Sequence, residues 1–233
     1  MDDINVILTV WKRNNLERQL ACMQEQSANI SDIYVYQNES HLDIEYLKEK
    51  YDFYHIHCKN KNFKFHGRFT LPLLFDSTYT AIFDDDTIPG SRWLEHCVNV
   101  SKKNNCIVGA NCRNYRARGH DCGEGNAENV RCDIVGHCWF FKTSWAHYMW
   151  REKPPTYDNG EDIHFCAACK MHGNIDSYFP SQPQSRRDLW GDTHQQLGQD
   201  QHAQWRKANH TDSRWAIYEH WIQRGWKIND SNK

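Results

Sequence analysis

The sequence predicts an α/β protein in which helices flank a mostly parallel β-sheet. Over the first 90 residues, short runs rich in β-branched residues alternate with segments whose apolar residues recur at helical spacing. The run INVILTV (4–10) is apolar almost throughout, as in a strand that is buried on both faces. This β-α-β-α-β order favours a doubly wound sheet with right-handed crossovers. Polar residues follow the predicted strands in WKRN, QNES and DDD, so these tips are expected to share one cleft at the carboxyl ends of the strands.

The elements of the first half follow from local patterns. The first helix has Leu16, Leu20 and Met23 on one face, and Asn15 is its expected N-cap. The segment 69–77 is apolar and is predicted to be helical although it contains Pro72. In chain order, the predicted elements are a strand at 4–10, a helix at 16–26, a strand at 32–40, a helix at 41–51, a strand at 53–58, a helix at 69–77 and the strand TAIF at 80–83.

The second half continues the alternation and then changes in composition. From Ser181 onward Gln, His, Asp and Arg dominate and tryptophans recur, which predicts a helical segment at 181–233 packed on the main domain at 1–180. The predicted elements before it are a helix at 91–104 opened by Ser91, a strand at 106–112, a long loop at 113–132, a strand-like aromatic stretch at 133–150, a helix from Glu161 and a strand at 175–180.

Composition excludes several classes of protein. A chain of 233 residues with 39% hydrophobic content suits an ordinary globular core. Its formal charge of −2 implies no general attraction to nucleic acid or to an anionic membrane. No stretch approaches the roughly eighteen apolar residues that a membrane span needs. The start of the chain has no basic signal region, so we expect a cytoplasmic protein whose ten cysteines are free thiols rather than disulfides or a structural zinc site.

Asp84, Asp85 and Asp86 lie side by side directly after the predicted strand TAIF. A solvated turn could carry three aspartates at little cost, but at the end of a buried strand their mutual repulsion needs a reason. A divalent cation removes that repulsion, and Mg²⁺ or Mn²⁺ is usually held by one or two carboxylates together with the phosphates of a substrate. The cluster therefore predicts a metal site with a phosphate ligand.

Two kinds of enzyme place Asp-x-Asp after a strand. Phosphatases of the haloacid dehalogenase type carry it after their first strand, whereas nucleotide-sugar glycosyltransferases of the GT-A fold carry it after a strand in the middle of the domain. The order of this chain fits the second kind. The segments INVILTVWKRN, IYVYQNES, AIFDDDTIPG, DIVGHCWFFKTSW and NGEDIHF together resemble a GT-A glycosyltransferase over residues 4–180. The chain is similar to small glycosyltransferases of large chlorella-infecting viruses and, over its first hundred residues, to exostosin-like transferases.

The resemblance implies a Rossmann-like GT-A domain that binds a nucleoside-diphosphate sugar, with UDP as the expected nucleotide, and a glycan acceptor. It also implies Mn²⁺ or Mg²⁺ as cofactor and, for a viral enzyme of glycan synthesis, the host cytoplasm as location. Asp86 would ligate the metal, and His194 could reach the metal or the diphosphate. The residues implied to contact the donor are Thr9, Trp11, Arg13, Asn38, Arg68, Asp84, Asp85 and His137.

The segment Gly-Glu-Asp at 160–162 would carry the acceptor side. An inverting transferase needs one base that takes the proton of the attacking hydroxyl, and Asp162 is the expected base, with Glu161 as an acceptor-binding residue. The same two carboxylates could instead compensate the dipole of the helix that they open.

Three alternatives stay open at this point. The chain departs from the exostosin-like pattern after about residue 115, so a retaining mechanism of that type competes with the inversion that we expect. A metal-dependent phosphohydrolase would use the same aspartates. A non-catalytic glycan-binding module would account for the many tryptophans, although Asp84, Asp86 and Asp162 argue against it.

Overall fold

The computed structural model describes residues 2–115, 127–191 and 197–229. Within these ranges, eight strands form a single sheet in the order β3-β2-β1-β4-β7-β5-β8-β6. The strands are β1 (Ile4–Val10), β2 (Ile30–Asn38), β3 (Tyr54–Cys58), β4 (Tyr79–Phe83), β5 (Cys106–Arg113), β6 (Val130–Cys132), β7 (Ile134–Lys142) and β8 (Asp176–Phe179).

The sheet is parallel in its first half and mixed in its second. Strands β3, β2, β1 and β4 run parallel to one another. Strand β7 is antiparallel to both β4 and β5, β8 is parallel to β5, and β6 is antiparallel to β8. The predicted α/β class, with a mostly parallel sheet flanked by helices, is confirmed.

Helices cover both faces of the sheet, and a separate apolar cluster fills each side. The α-helices of the described residues are α1 (Leu16–Gln24), α2 (Trp93–Asn104), α3 (Glu161–Gly173) and α4 (His210–Gln223). Along β1, Val6 and Leu8 pack towards α1 and α2, whereas Ile7 belongs to the cluster that contains residues of α3 and α4. A strand buried on both faces needs apolar residues at most positions, which explains the mainly apolar run at 4–10.

Two predicted helices are shorter and tighter than expected. The segment 41–51 forms only a 3₁₀ turn at Glu45–Glu49, where the Asp43 carboxylate accepts the N–H of Glu45 and competes with a longer helix. The segment 69–77 is replaced by a 3₁₀ helix at Gly67–Leu74, which contains Pro72. Proline lacks the N–H that an α-helix would use there.

Two predicted helix caps are replaced by contacts between elements. Helix α2 begins at Trp93 rather than at Ser91, and the Gln26 side-chain oxygen accepts the N–H of Leu94 at 3.1 Å. Asn15 precedes α1 as expected but makes no capping bond, and its amide donates instead to the carbonyl of Asp85 at 2.9 Å. The start of α1 thus contacts the loop after β4, and the start of α2 contacts the segment that follows α1.

The cysteines are mostly free thiols, as predicted. Of the nine cysteines in the described ranges, eight are free and six of these are buried, and the prediction is wrong for Cys112, which is disulfide-bonded. Within the described ranges, no cluster of cysteines is arranged to hold a metal. None of the helices in this part of the chain has the length and apolar character needed to cross a membrane.

Candidate active site

The pairing of β4 with β7 brings Asp84 and His137 together. Phe83 pairs with Cys138 across the antiparallel ladder, so the residues one step further, Asp84 and His137, also face each other. The N–H of Asp84 donates to the carbonyl of His137 at 2.9 Å. His137 has a φ of +61°, a left-handed conformation that is uncommon for a residue with a side chain.

Three side chains at this point form a candidate metal site. Nδ1 of His137 lies 3.4 Å from Asp86 Oδ1 and 3.5 Å from Asp84 Oδ2. One ligand atom of each residue falls within 4.8 Å of the other two. Two carboxylates and an imidazole suit a divalent cation such as Mn²⁺ or Mg²⁺. Burial opposes the charged form of His137, but the carboxylates of Asp86 and Asp84 outweigh it and raise its pKa.

Asp85 points away from this trio and towards Arg13. The Arg13 guanidinium lies 2.6 Å from Asp85 Oδ1 and 3.1 Å from Asp86 Oδ2, and its Nε lies 2.6 Å from Oδ2 of Asp200. Burial raises the pKa of Asp85 to about 7 even though Arg13 favours its charged form. Arg13 therefore joins the aspartate cluster to the C-terminal segment, whose Asp200 had no sequence motif to mark it.

The backbone of the aspartate loop is held by helix α1. The Gln19 amide donates to the carbonyls of Asp84 and Thr87, at 2.8 and 3.0 Å, and Asn15 donates to that of Asp85. Gln19 is fully buried on the same helix face as Leu16, Leu20 and Met23. A glutamine within an apolar stripe is the signal that could have identified this residue from the sequence.

Arg68 lines the cleft, but its side chain is almost fully buried. Its side chain is 4% exposed, and its guanidinium donates to Asp84 and, at 3.0 Å, to Oε1 of Glu161. The guanidinium carbon lies 4.6 Å from the centre of the Trp139 ring. Burial opposes its charge, but Asp84 and Glu161 outweigh burial and raise the pKa of Arg68.

The residues expected to line the nucleoside pocket lie at the tips of β1 and β2. Thr9 donates to the carbonyl of Phe83 at 2.8 Å, and the Trp11 indole N–H donates to Glu39 at 2.8 Å. Asn38 donates to the carbonyl of Lys64 at 3.2 Å. Thr9, Trp11 and Asn38 all line the same cleft as the aspartates.

Glu161 and Asp162 open α3 on the opposite side of the cleft. Arg214 of α4 binds both oxygens of Asp162, at 2.9 and 2.6 Å. Burial opposes ionisation of Asp162, but Arg214 more than compensates and lowers its pKa. Burial and the neighbouring Asp162 raise the pKa of Glu161 to about 7, against the influence of Arg68. The pKa values of the two adjacent carboxyls are therefore shifted in opposite directions. Pairs of this kind can divide the roles of acid and base between them.

Glycine at position 160 lets α4 approach the start of α3. Gly160 has a φ of +76°, and a Cβ added there would lie 2.3 Å from Cδ1 of Ile217 in α4. This close approach helps to bring Arg214 to Asp162. Arg214 was missed in the sequence because its partner lies 52 positions away and no short motif marks the pair.

One cleft of about 1380 Å³ joins these groups. It runs from the tips of β1 and β2, past the candidate metal site, to Asp162 and Arg214, and residues of the C-terminal segment such as Trp205 form a further wall. A volume of this order accommodates a nucleotide together with a sugar. His194, the second expected metal or diphosphate contact, lies outside the described residues.

Comparison with known proteins supports the fold assignment. No protein-family model matches the sequence, and no curated protein matches it. Among solved structures, the chain is similar to S. aureus TarS, with 12% identity, a TM-score of 0.54 and coverage of 78% of this chain and 37% of that one. A structure of TarS residues 1–349 gives 12% identity, a TM-score of 0.56 and coverage of 97% and 72%. The chain thus spans little more than a third of the first TarS chain, and the likeness identifies its fold as GT-A-like.

Proposed function

We propose that the chain is a metal-dependent glycosyltransferase that moves a sugar from a nucleoside diphosphate, with UDP as the expected nucleotide, to a hydroxyl of a glycan. The observation that carries the proposal is the trio Asp84, Asp86 and His137, which lies in one cleft with the carboxylate Asp162. The GT-A-like fold supports it, since this fold places a nucleotide at the strand tips.

The donor side consists of the candidate metal site and the tips of β1 and β2. Asp84, Asp86 and His137 would hold Mn²⁺ or Mg²⁺, which supplies positive charge for the diphosphate leaving group when it is bound. Trp11 and Asn38 line the part of the cleft next to this site, where the nucleoside would lie. Arg13 adds a fixed positive charge beside the phosphates.

The acceptor side is assigned to Asp162. Its lowered pKa keeps it ionised at neutral pH, so it can take the proton of the acceptor hydroxyl as that oxygen attacks the anomeric carbon. Attack from the side opposite the leaving diphosphate inverts the configuration of that carbon. Glu161 also lines the cleft, but its side chain is buried and its Oε1 accepts a hydrogen bond from Arg68.

A screen of nucleotide sugars tests the proposal. Melting temperatures and sugar-nucleotide hydrolysis are measured with and without Mn²⁺ for the wild type, Asp86→Asn and Asp162→Asn, with the exposed Asp52→Asn as the control. We expect one sugar nucleotide to raise the melting temperature only with Mn²⁺, an effect that Asp86→Asn loses and Asp162→Asn keeps. Asp162→Asn should instead lose transfer to an acceptor.

Two outcomes would overturn the proposal. The first is that no sugar nucleotide stabilises the protein in the presence of Mn²⁺. The second is release of inorganic phosphate without an acceptor that Asp84→Asn abolishes and Asp162→Asn leaves intact, which would indicate a phosphohydrolase. The anomeric configuration of the product, read by NMR, separates inversion from retention.

A further inference from the structure

We propose that Arg68 and Glu161 act as one positioning unit that links the metal-site carboxylate Asp84 to the start of α3. Metal affinity then depends on Glu161, although Glu161 is not one of the candidate metal ligands. This inference rests on the proposed function, because it takes Asp84 as a metal ligand. It differs from the contact with base or phosphate that the sequence resemblance implies for Arg68.

The two carboxylate oxygens of Asp84 face different side chains. Arg68 donates to Oδ1, whereas Oδ2 faces His137 at 3.5 Å. The oxygens thus have different partners, and the hydrogen bond to Arg68 fixes the direction in which the second oxygen points. Partners of this kind behind a metal ligand commonly change metal affinity by about 10- to 100-fold when they are removed.

The other arm of the Arg68 guanidinium reaches α3. Its second nitrogen donates to Glu161 Oε1 at 3.0 Å, and its central carbon lies 4.6 Å from the centre of the Trp139 ring. A planar guanidinium holds its donors at a fixed spacing, which a lysine ammonium cannot reproduce. Arg68 therefore sets the distance between the end of β4, which carries Asp84, and the first residue of α3.

Arg68 is buried and is held by two contacts between charged groups, one to Asp84 and one to Glu161. If Glu161 is made neutral, the guanidinium keeps only a weaker hydrogen bond at that end, because hydrogen bonds between two charged groups are stronger than those to a neutral amide. The guanidinium then holds Asp84 less firmly in the orientation that faces His137, so metal affinity should fall.

The neighbouring carboxylate provides a matched control. Asp162 is adjacent to Glu161 in the chain and carries the same charge, but it binds Arg214 instead of Arg68. A general loss of negative charge near the site would affect both variants alike. An effect that passes through Arg68 would appear in Glu161→Gln and not in Asp162→Asn.

The test is a titration with MnCl₂, in which free Mn²⁺ is measured by electron paramagnetic resonance. The proteins are the wild type, Glu161→Gln, Arg68→Gln, the double variant, Arg68→Lys and Asp162→Asn. We expect Glu161→Gln and Arg68→Gln each to weaken Mn²⁺ binding by about tenfold or more, and the double variant to be no weaker than the poorer single one. Arg68→Lys should recover only part of the loss, and Asp162→Asn should stay within about twofold of the wild type.

Several outcomes would overturn the inference. The inference is wrong if Glu161→Gln binds Mn²⁺ as tightly as the wild type, or if Glu161→Gln and Asp162→Asn lose equal Mn²⁺ affinity. It is also wrong if the losses of Mn²⁺ affinity in the two single variants add up in the double variant. Each of these results leaves the proposed function intact. A wild type that binds no Mn²⁺ would overturn the proposed function and the inference together. If Arg68→Gln does not fold, as judged by circular dichroism, the comparison of Glu161→Gln with Asp162→Asn decides by itself.

Discussion

Arg214 binds Asp162 through two guanidinium nitrogens, so that helix α4 completes the surroundings of a carboxylate at the start of α3. The N–O distances of 2.9 and 2.6 Å describe a bidentate pair, the geometry in which arginine and carboxylate interact most strongly. The segment after residue 180 therefore contributes directly to the candidate active site. Its removal would leave Asp162 without its main positive neighbour.

Replacement of this arginine should change the pH dependence of catalysis. Because Arg214 lowers the pKa of Asp162, we expect Arg214→Gln to raise that pKa and to move the acid limb of the pH–rate profile to higher pH. The measurement is kcat/KM against pH for donor and acceptor. The exposed Arg224→Gln, in the turn that follows α4, is the control and should keep the wild-type profile. An unchanged acid limb in Arg214→Gln would remove Asp162 from the role of base.

The buried amide of Gln19 should stabilise the aspartate loop. Leucine at this position has a similar size but removes the donor that the carbonyls of Asp84 and Thr87 share, although the Asp84 carbonyl still accepts the N–H of Thr87. We expect Gln19→Leu to lower the free energy of unfolding by about 1–3 kcal/mol. Urea denaturation measures this, and Gln24→Leu, at an exposed position of the same helix, should change it little. Equal stability of the two variants would contradict the importance of these hydrogen bonds.

The buried His164 should make the protein sensitive to acid. Its side chain is fully buried, its Nε2 lies 2.9 Å from the carbonyl of Met149, and burial lowers its pKa to about 4. The unfolded chain binds a proton at this histidine below its ordinary pKa of about 6.5, whereas the folded protein does so only near 4, so stability falls as the pH drops through that window.

The size of this effect can be measured with a neutral replacement. At pH 5 the His164 contribution amounts to about 2 kcal/mol relative to pH 8. His164→Gln should therefore lose less stability between pH 8 and pH 5 than the wild type, as followed by urea denaturation at each pH. His147→Gln, at an exposed position, should retain the wild-type difference. If His164→Gln loses as much stability as the wild type, the acid sensitivity belongs to other groups, such as the buried His66, whose pKa is also lowered to about 4 by burial.

The sheet and the location of the cleft could be predicted because they follow from local patterns. The apolar run at 4–10 and the strand before Asp84 form part of the parallel half of the sheet. The carboxyl ends of parallel strands lie at the same edge of a sheet, which locates the cleft. The role of His137 beside the aspartates could not be predicted in this way. It depends on the antiparallel register in which Phe83 pairs with Cys138, and the sequence of β7 does not specify its neighbour.

The contacts that cross the domain were also beyond sequence reasoning. Asp200 reaches Arg13 across 187 positions, and Arg214 reaches Asp162 from a different helix. Arg68 contacts both Asp84 and Glu161, and Glu161 lies 93 positions further along the chain. In each case the partner is determined by tertiary packing and not by spacing along the chain.

Titration calorimetry of UDP in the presence of Mn²⁺ and in the presence of a chelator tests the central claim most directly. The wild type and the control Asp52→Asn should release or absorb heat on binding UDP only when Mn²⁺ is present, and Asp86→Asn should lose that binding. Equal UDP binding with and without Mn²⁺, or no binding of UDP by a protein that does bind free oligosaccharide, would contradict the assignment of this cleft to a metal-dependent glycosyltransferase.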